Sequence, residues 1–298
     1  MSLPDENQPP PFMDVPELLE RSMLRAQGGW FLYGLGGFLL FAMIMSYIGG
    51  QSPVGQRIVS LLSAVSMIGI MGGMAIVFSL TARKHREEQQ QLEAAEELIQ
   101  LRRWPQAAMV LQGLLSLPTR SPHSRVRGLI YLTSVLARYH RFDDTILVQN
   151  HLLEHVQLDP VTTHALKLGR AMAMLREDHL VDADRAMSDL RRGVGDGESA
   201  GLALVEIYRD VKTGHPSEAI QIFNEKLDIL RQQLGHRVGD AYALIARAYD
   251  MVGQENEARI MYERATTLDL PIELERRYPE VAQMSGKYSP AAAPREAA

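Results

Sequence analysis

No charged side chain occurs between Arg25 and Arg57, and none between Arg57 and Arg83. The apolar cores of these two runs, Trp30 to Ile48 and Val59 to Leu80, are each long enough as helices to cross a hydrocarbon layer of about 30 Å at about 1.5 Å rise per residue. The pattern predicts a two-helix transmembrane hairpin over 29–81, with Gly49 to Gln56 as its short connection. No Asp, Glu, Lys, Arg or His lies inside either span, which argues for an anchor and against a proton relay, ion path or substrate site in the membrane. Gly69 and Gly73 form a G-x-x-x-G, and Gly34, Gly36 and Gly37 make a second small face. Such faces let helices approach closely in lipid. The short connection favours packing of the two spans on each other, and the same faces allow a homo-oligomer.

The flanks set the expected orientation. Arg21 and Arg25 precede the first span and Arg83, Lys84 and Arg86 follow the second, so both termini are expected to be cytoplasmic, with the lipid bilayer as a partner. The resulting expectation is a multi-pass integral membrane protein, with a bacterial inner membrane as its location. A signal peptide fits the first run less well, because the run is longer than an h-region, acidic residues crowd the N-terminus and no A-x-A site follows. Residues 1–12 are Pro-rich and polar and are expected to be disordered. Over 13–28, Val15, Leu18, Leu19, Met23 and Leu24 share one helix face, which predicts a juxtamembrane amphipathic helix or a helix packed on the soluble domain. Residues 284–298 are rich in Ala, Pro and Ser and read as a disordered tail. After Gly73 no Gly or Pro occurs until Pro105, and the coiled-coil-like stretch Glu87 to Glu93 consists of good helix formers. The second span is therefore expected to run unbroken into the next helix.

The soluble region carries a repeat. Its clearest unit runs from Gly239 to Pro271: Tyr242, Ile245, Ala246 and Tyr249 on a first helix, Gly253 in the turn, then Ala258, Tyr262 and Ala265 on a second helix. Small Ala246 and Ala258 permit close helix approach, the aromatics fill the space beside them, and Pro271 stops the second helix. The preceding unit has Gly214 in the turn, followed by Ala219 and Phe223; Gly214 to Gly253 and Ala219 to Ala258 both span 39 residues. Counting back, Ala183, Thr145 and Ala108 open second helices in the same way, at spacings of 36, 38 and 37. These positions resemble the tetratricopeptide repeat over 87–279. The resemblance implies an α-solenoid of about five helix pairs, so that, with the hairpin read from the charge-free runs, the expected architecture is all-α: a transmembrane helical hairpin followed by a tetratricopeptide-like α-solenoid. The resemblance also implies a scaffold or adaptor that binds other proteins, and it does not imply catalysis, so no enzyme is expected.

Composition narrows the chemistry. Aromatics make up 6% of residues and no period-2 alternation persists, so strands are not expected. The chain has no cysteine, which removes disulfides and thiolate sites. A net charge of -5 supplies no basic surface for a phosphate backbone, so nucleic acid is not an expected partner. His151-Leu152-Leu153-Glu154-His155 matches H-x-x-E-H, in which two histidines on one helix face can bind zinc while the Glu acts as base. A zinc-dependent peptidase is thus one alternative function; partly exposed histidines beside a repeat core are the plainer reading. A regulatory subunit acting through its spans is another. There is no P-loop and no G-x-S-x-G elbow, and Gly193 to Gly197 reads as an inter-repeat turn. No cofactor and no metal are expected.

In tetratricopeptide domains the exposed side of each first helix lines a concave groove. The resemblance places Arg127, Ile130, Ser134, Leu168, Met172, Leu204, Tyr208, Ala243 and Arg247 there. Chaperone-binding members clamp a C-terminal carboxylate with Lys and Asn at such positions, whereas this chain has Ser134, Met172, Leu204 and Tyr208. The expected partner is instead an extended or helical protein segment with hydrophobic anchors and some acidic character. The alternative is a groove filled by the chain's own N-terminal segment or tail.

Overall fold

A computed structural model describes residues 14–21, 53–117, 121–194 and 199–288, and every element among them is helical. The all-α expectation holds. The chain divides into two compact units, Met1–Asp144 and Thr145–Ala298.

The N-terminal unit contains α1 (Val15–Arg21), α2 (Pro53–Gln100), α3 (Trp104–Leu115), α4 (Pro122–Arg138) and the start of α5 (Phe142–His155). α2 is one unbroken helix of 48 residues, as the absence of Gly and Pro after Gly73 predicts. Its C-terminal part packs on α3 and α4, burying Leu92 and Ala95 with Ala107, Leu111, Leu115, Leu129 and Leu132. Gly128 permits the approach of α4: a Cβ there would meet Leu115 at 3.3 Å and Leu114 at 3.4 Å. α1 lies against α3 with Val15, Leu18 and Leu19 buried, so its apolar face is turned to protein rather than to lipid.

The two-span membrane assignment is overturned. Among the described residues no helix is long and apolar enough to cross a membrane. The run Trp30 to Ile48 lies outside the described residues. The second run lies on α2, which continues without a break into Arg83, Lys84, His85 and Arg86 and on to the polar stretch that follows. The integral-membrane location and the cytoplasmic placement of both termini fall with the spans. Residues 1–12, 22–28 and 289–298, on which the disordered termini and the rest of the juxtamembrane helix were expected, also lie outside the described residues.

The C-terminal unit holds the rest of α5, then α6 (Pro160–Arg176), α7 (Leu180–Val194), α8 (Ala200–Thr213), α9 (Pro216–Leu234), α10 (Val238–Met251), α11 (Glu255–Leu268), α12 (Pro271–Arg277) and α13 (Ala282–Tyr288), with a 3-10 turn at Pro279–Val281. Within it, α6 packs on α7, α8 on α9 and α10 on α11, while α6, α8 and α10 lie side by side. Gly201 seats Leu168 between α8 and α6, since a Cβ there would come within 2.6 Å of the Leu168 Cδ1. α13 takes up residues 284–288, which the sequence assigned to a disordered tail.

The repeat appears most clearly in the turns. Arg102, His140, Asp178, Gly214 and Gly253 all have φ between 57° and 78°, and they recur at spacings of 38, 38, 36 and 39 residues. At each, the next residue donates its N–H back five positions, as in Arg103 to Leu98, Arg141 to Leu136, His179 to Met174, His215 to Asp210 and Gln254 to Tyr249, at 2.8 to 3.0 Å. The left-handed residue donates to a carbonyl three positions back. These paired bonds make a Schellman closure that satisfies the last carbonyls of each helix. Ala107, Ala183, Ala219 and Ala258 then donate to the residue just after the turn, opening the second helix. Ala107, not Ala108, is therefore the first helix-opening residue of the series. Ala107, Thr145, Ala183, Ala219 and Ala258 are all buried, as close helix packing at these positions requires.

Candidate functional site

The nine residues expected to line a groove have different fates. On α4, Arg127 and Ile130 are half-buried and Ser134 is exposed. The Arg127 Nη2 donates to Glu96 Oε2 and to the Tyr131 hydroxyl, each at 2.9 Å, and Tyr131 donates to the same carboxylate at 2.6 Å. Arg127 is thus already matched by a carboxylate on α2. In the C-terminal unit, Leu168 and Met172 on α6 are half-buried against the core. Arg247 on α10 is half-buried and donates to Asp250 at 2.8 Å. Leu204 and Tyr208 on α8 and Ala243 on α10 are fully enclosed, against expectation. The two arginines therefore give no ready reason for an acidic partner, and three groove positions are covered.

What covers them is the chain itself. After α11 the backbone is extended at Asp269 and Leu270, and Pro271 starts α12. The following 3-10 turn packs on α10, with Tyr278, Val281 and Met284 buried in one cluster with Leu204, Tyr208 and Ala243. The Tyr278 ring meets Tyr208 edge-on, centroids 5.1 Å apart at 74°, and the Arg176 guanidinium stands 5.5 Å from its centre. Such edge-to-face and cation–π contacts add to the burial of the ring itself. Two residues on, Glu280 Oε1 accepts from the Tyr208 hydroxyl at 3.3 Å and lies 3.6 Å from the Lys212 ammonium. Lys212 also pairs with Asp178 at 2.9 Å. Arg176, Tyr208 and Lys212 come from α6 and α8, so the C-terminal segment crosses the first helices of the pairs.

Two further contacts fix the segment. Asp240, almost wholly buried at the start of α10, has the Arg277 Nη2 2.9 Å from its Oδ1 as an ion pair without hydrogen-bond alignment, and the same nitrogen donates to Asp269. Burial pushes the Asp240 carboxyl above the usual range, and Arg277 opposes that shift. At the far end, Asp250 accepts from Lys287 and from the Tyr288 hydroxyl, each at 2.9 Å. Burial alone would raise Asp250, but the bonds from Lys287 and Tyr288 bring it below its ordinary value. Burial pushes the hydroxyls of Tyr208 and Tyr278 well up, so both rings stay neutral.

His151 and His155 stack face to face, centroids 4.8 Å apart at 22°, and the His155 Nδ1 lies 3.2 Å from the His151 carbonyl. Stacked rings do not converge on one point. Among the described residues no group of three or more His, Cys, Asp or Glu could hold a metal ion. Gly193 lies in the last turn of α7, not in an inter-repeat turn, and 195–198 lie outside the described residues.

Sequence reasoning missed Arg176, Lys212, Tyr278 and Glu280. Lys212 and Arg176 sit in the last turns of first helices, where a basic residue is ordinary. Tyr278-Pro279-Glu280 carries no repeat signature. Comparison with protein-family models, with curated proteins and with solved structures finds no match.

Proposed function

We propose that this chain is a non-catalytic helical-repeat scaffold of the tetratricopeptide kind, which docks segments of other proteins on the faces of its first helices. The five Schellman turns in register and the buried small residue after each support an α-solenoid built of helix pairs. The observation that carries the docking reading is the seat on α6 and α8, where Arg176, Tyr208 and Lys212 hold an aromatic ring and a carboxylate from a piece of chain outside the repeats. Recognition of an extended segment by spaced anchors on a rigid scaffold needs this kind of surface. Partners are proteins, a second copy of the chain included; no cofactor takes part.

Affinity purification of the full chain from its native cells, compared with Ser134→Arg and Met172→Gln variants, tests the reading. Both positions lie on first helices and neither is fully buried. Loss of a recovered partner from either variant, with thermal unfolding unchanged, is the expected result. Full recovery by both would place binding elsewhere.

A further inference from the structure

The seat on α6 and α8 is occupied in a way that indicates what else fits it. All of its recognising groups belong to the repeat helices: the Tyr208 ring and the Arg176 guanidinium receive an aromatic ring, and the Lys212 ammonium and Tyr208 hydroxyl receive one carboxylate oxygen. The segment 271–288 supplies to them the ring of Tyr278 and, two residues later, the carboxylate of Glu280, and buries Leu274, Val281 and Met284 in the same cluster. Its fit is incomplete. The Tyr278 hydroxyl and the second Glu280 oxygen are both buried and without a hydrogen-bond partner among the described residues. Buried polar atoms left in that state weaken the complex they sit in. A segment that kept the ring and carboxylate but dropped the hydroxyl, or brought its own donor to the second oxygen, would bind better than the resident one.

The segment has one covalent attachment to the repeats and an ion-paired outer end. It joins the repeats through the extended Asp269–Leu270 link, and its outer end is held by Lys287 and Tyr288 on Asp250, with Lys287 nearly half exposed. As an intramolecular occupant it competes at an effective concentration on the order of millimolar, enough to exclude weak ligands while yielding to strong ones.

We propose that residues 271–288 are a built-in stand-in for the partner, and that the face formed by α6, α8 and α10 takes a protein segment with an aromatic residue followed two positions later by Asp or Glu, which displaces Tyr278 and Glu280. This rests on the docking reading above and names the chemistry it recognises. The resident segment sets a threshold: only partners that improve on its unsatisfied groups gain the site.

The test uses the full chain and a fluorescently labelled synthetic peptide of residues 271–288, read by anisotropy, with hydrogen exchange on the same samples. The chain variant Lys287→Ala, Tyr288→Phe loosens the outer end of the segment without touching the seat. This variant is expected to bind the peptide at least tenfold more tightly than the unaltered chain. A peptide carrying Tyr278→Phe should bind as well or better, and peptides carrying Tyr278→Ala or Glu280→Lys at least tenfold worse. In the unaltered chain, amides of 274–288 should exchange through an opening that leaves α6 to α11 protected. Equal binding to both chains, or indifference to the ring and the carboxylate, overturns the proposal. So does exchange of 274–288 only together with α6 to α11, which would make the segment an ordinary part of the core. A concentration-dependent dimer of the loosened variant would assign the seat to a second copy and equally overturn it. If the peptide fails while a partner is still lost on Met172→Gln, this proposal falls and the docking reading stands; if both fail, both fall.

Discussion

Tyr278 allows the seat to be dissected by two substitutions that differ only in the hydroxyl and the ring. The side chain is fully buried, its ring packed edge-on against Tyr208 and beside Arg176, and its hydroxyl has no hydrogen-bond partner among the described residues. Removing the ring in Tyr278→Ala deletes an aromatic from a closed site, which costs about 3–5 kcal/mol, of which about 0.5–1.5 comes from the edge-to-face pair. The loss in global stability is capped by the free energy with which 271–288 docks, because once the segment is released the ring no longer contributes. Removing only the hydroxyl in Tyr278→Phe deletes a buried polar atom whose desolvation costs about 1–3 kcal/mol while it lacks a partner. That change should be neutral or stabilising by up to about 1 kcal/mol. Urea unfolding of the full chain, followed by circular dichroism and analysed for the C-terminal unit's transition, reads both. A loss above about 1 kcal/mol for Tyr278→Phe would show that the hydroxyl is bonded. A loss below about 1 kcal/mol for Tyr278→Ala would show that the ring does not hold the segment.

Other expectations follow from the same geometry. Ala258→Glu would force a charge into the closed contact of α10 and α11 at a cost of several kcal/mol, and unchanged thermal unfolding would contradict the repeat register. Arg102 is exposed with φ of 57°, so Arg102→Gly should stabilise the N-terminal unit by about 0.5–1 kcal/mol in urea titration, whereas a loss would show that its side chain contributes more than the backbone strain. The Asp250 carboxyl lies below its unfolded value of about 3.9, so its contribution is complete above that pH and disappears as pH falls through the lower folded value. Exchange of α13 amides should therefore accelerate from pH 5 toward pH 2 beyond the intrinsic pH dependence, and Lys287→Ala should remove much of that excess; an acid response unaffected by Lys287→Ala would separate Asp250 from the segment.

How much of this was legible in the sequence depended on whether a position's role follows from its own residue type. Gly214 and Gly253 marked their turns because a left-handed backbone favours glycine. Arg102, His140 and Asp178 occupy the same conformation without advertising it, and their turns were found only by spacing. Ala107 and Ala108 are adjacent and both buried, so the repeat pattern could not choose between them; the bond from Ala107 to the Arg103 carbonyl does. The unbroken α2 followed from helix propensity, but the membrane role drawn from its charge-free stretch did not hold. The groove residues were assigned from their positions on first helices, and six of nine do remain at least partly accessible. Leu204, Tyr208 and Ala243 are buried in a cluster that also holds Tyr278 and Val281, which lie far away in sequence and outside the repeat pattern. A groove position can be inferred locally, but what fills it depends on tertiary packing.

Photo-crosslinking from the groove side tests the central claim most directly. A photoreactive amino acid placed at Met172 on α6 in the full chain, with the same group at Ser188 on the exposed side of α7 as control, would be activated in native cells and its adducts mapped by mass spectrometry. The account expects adducts at Met172 with a discrete segment of another protein, carrying an aromatic residue two positions before an acidic one, and no such adducts at Ser188. Equal labelling at both positions, or adducts at Met172 only with residues 271–288 of the same molecule under every condition, would contradict it.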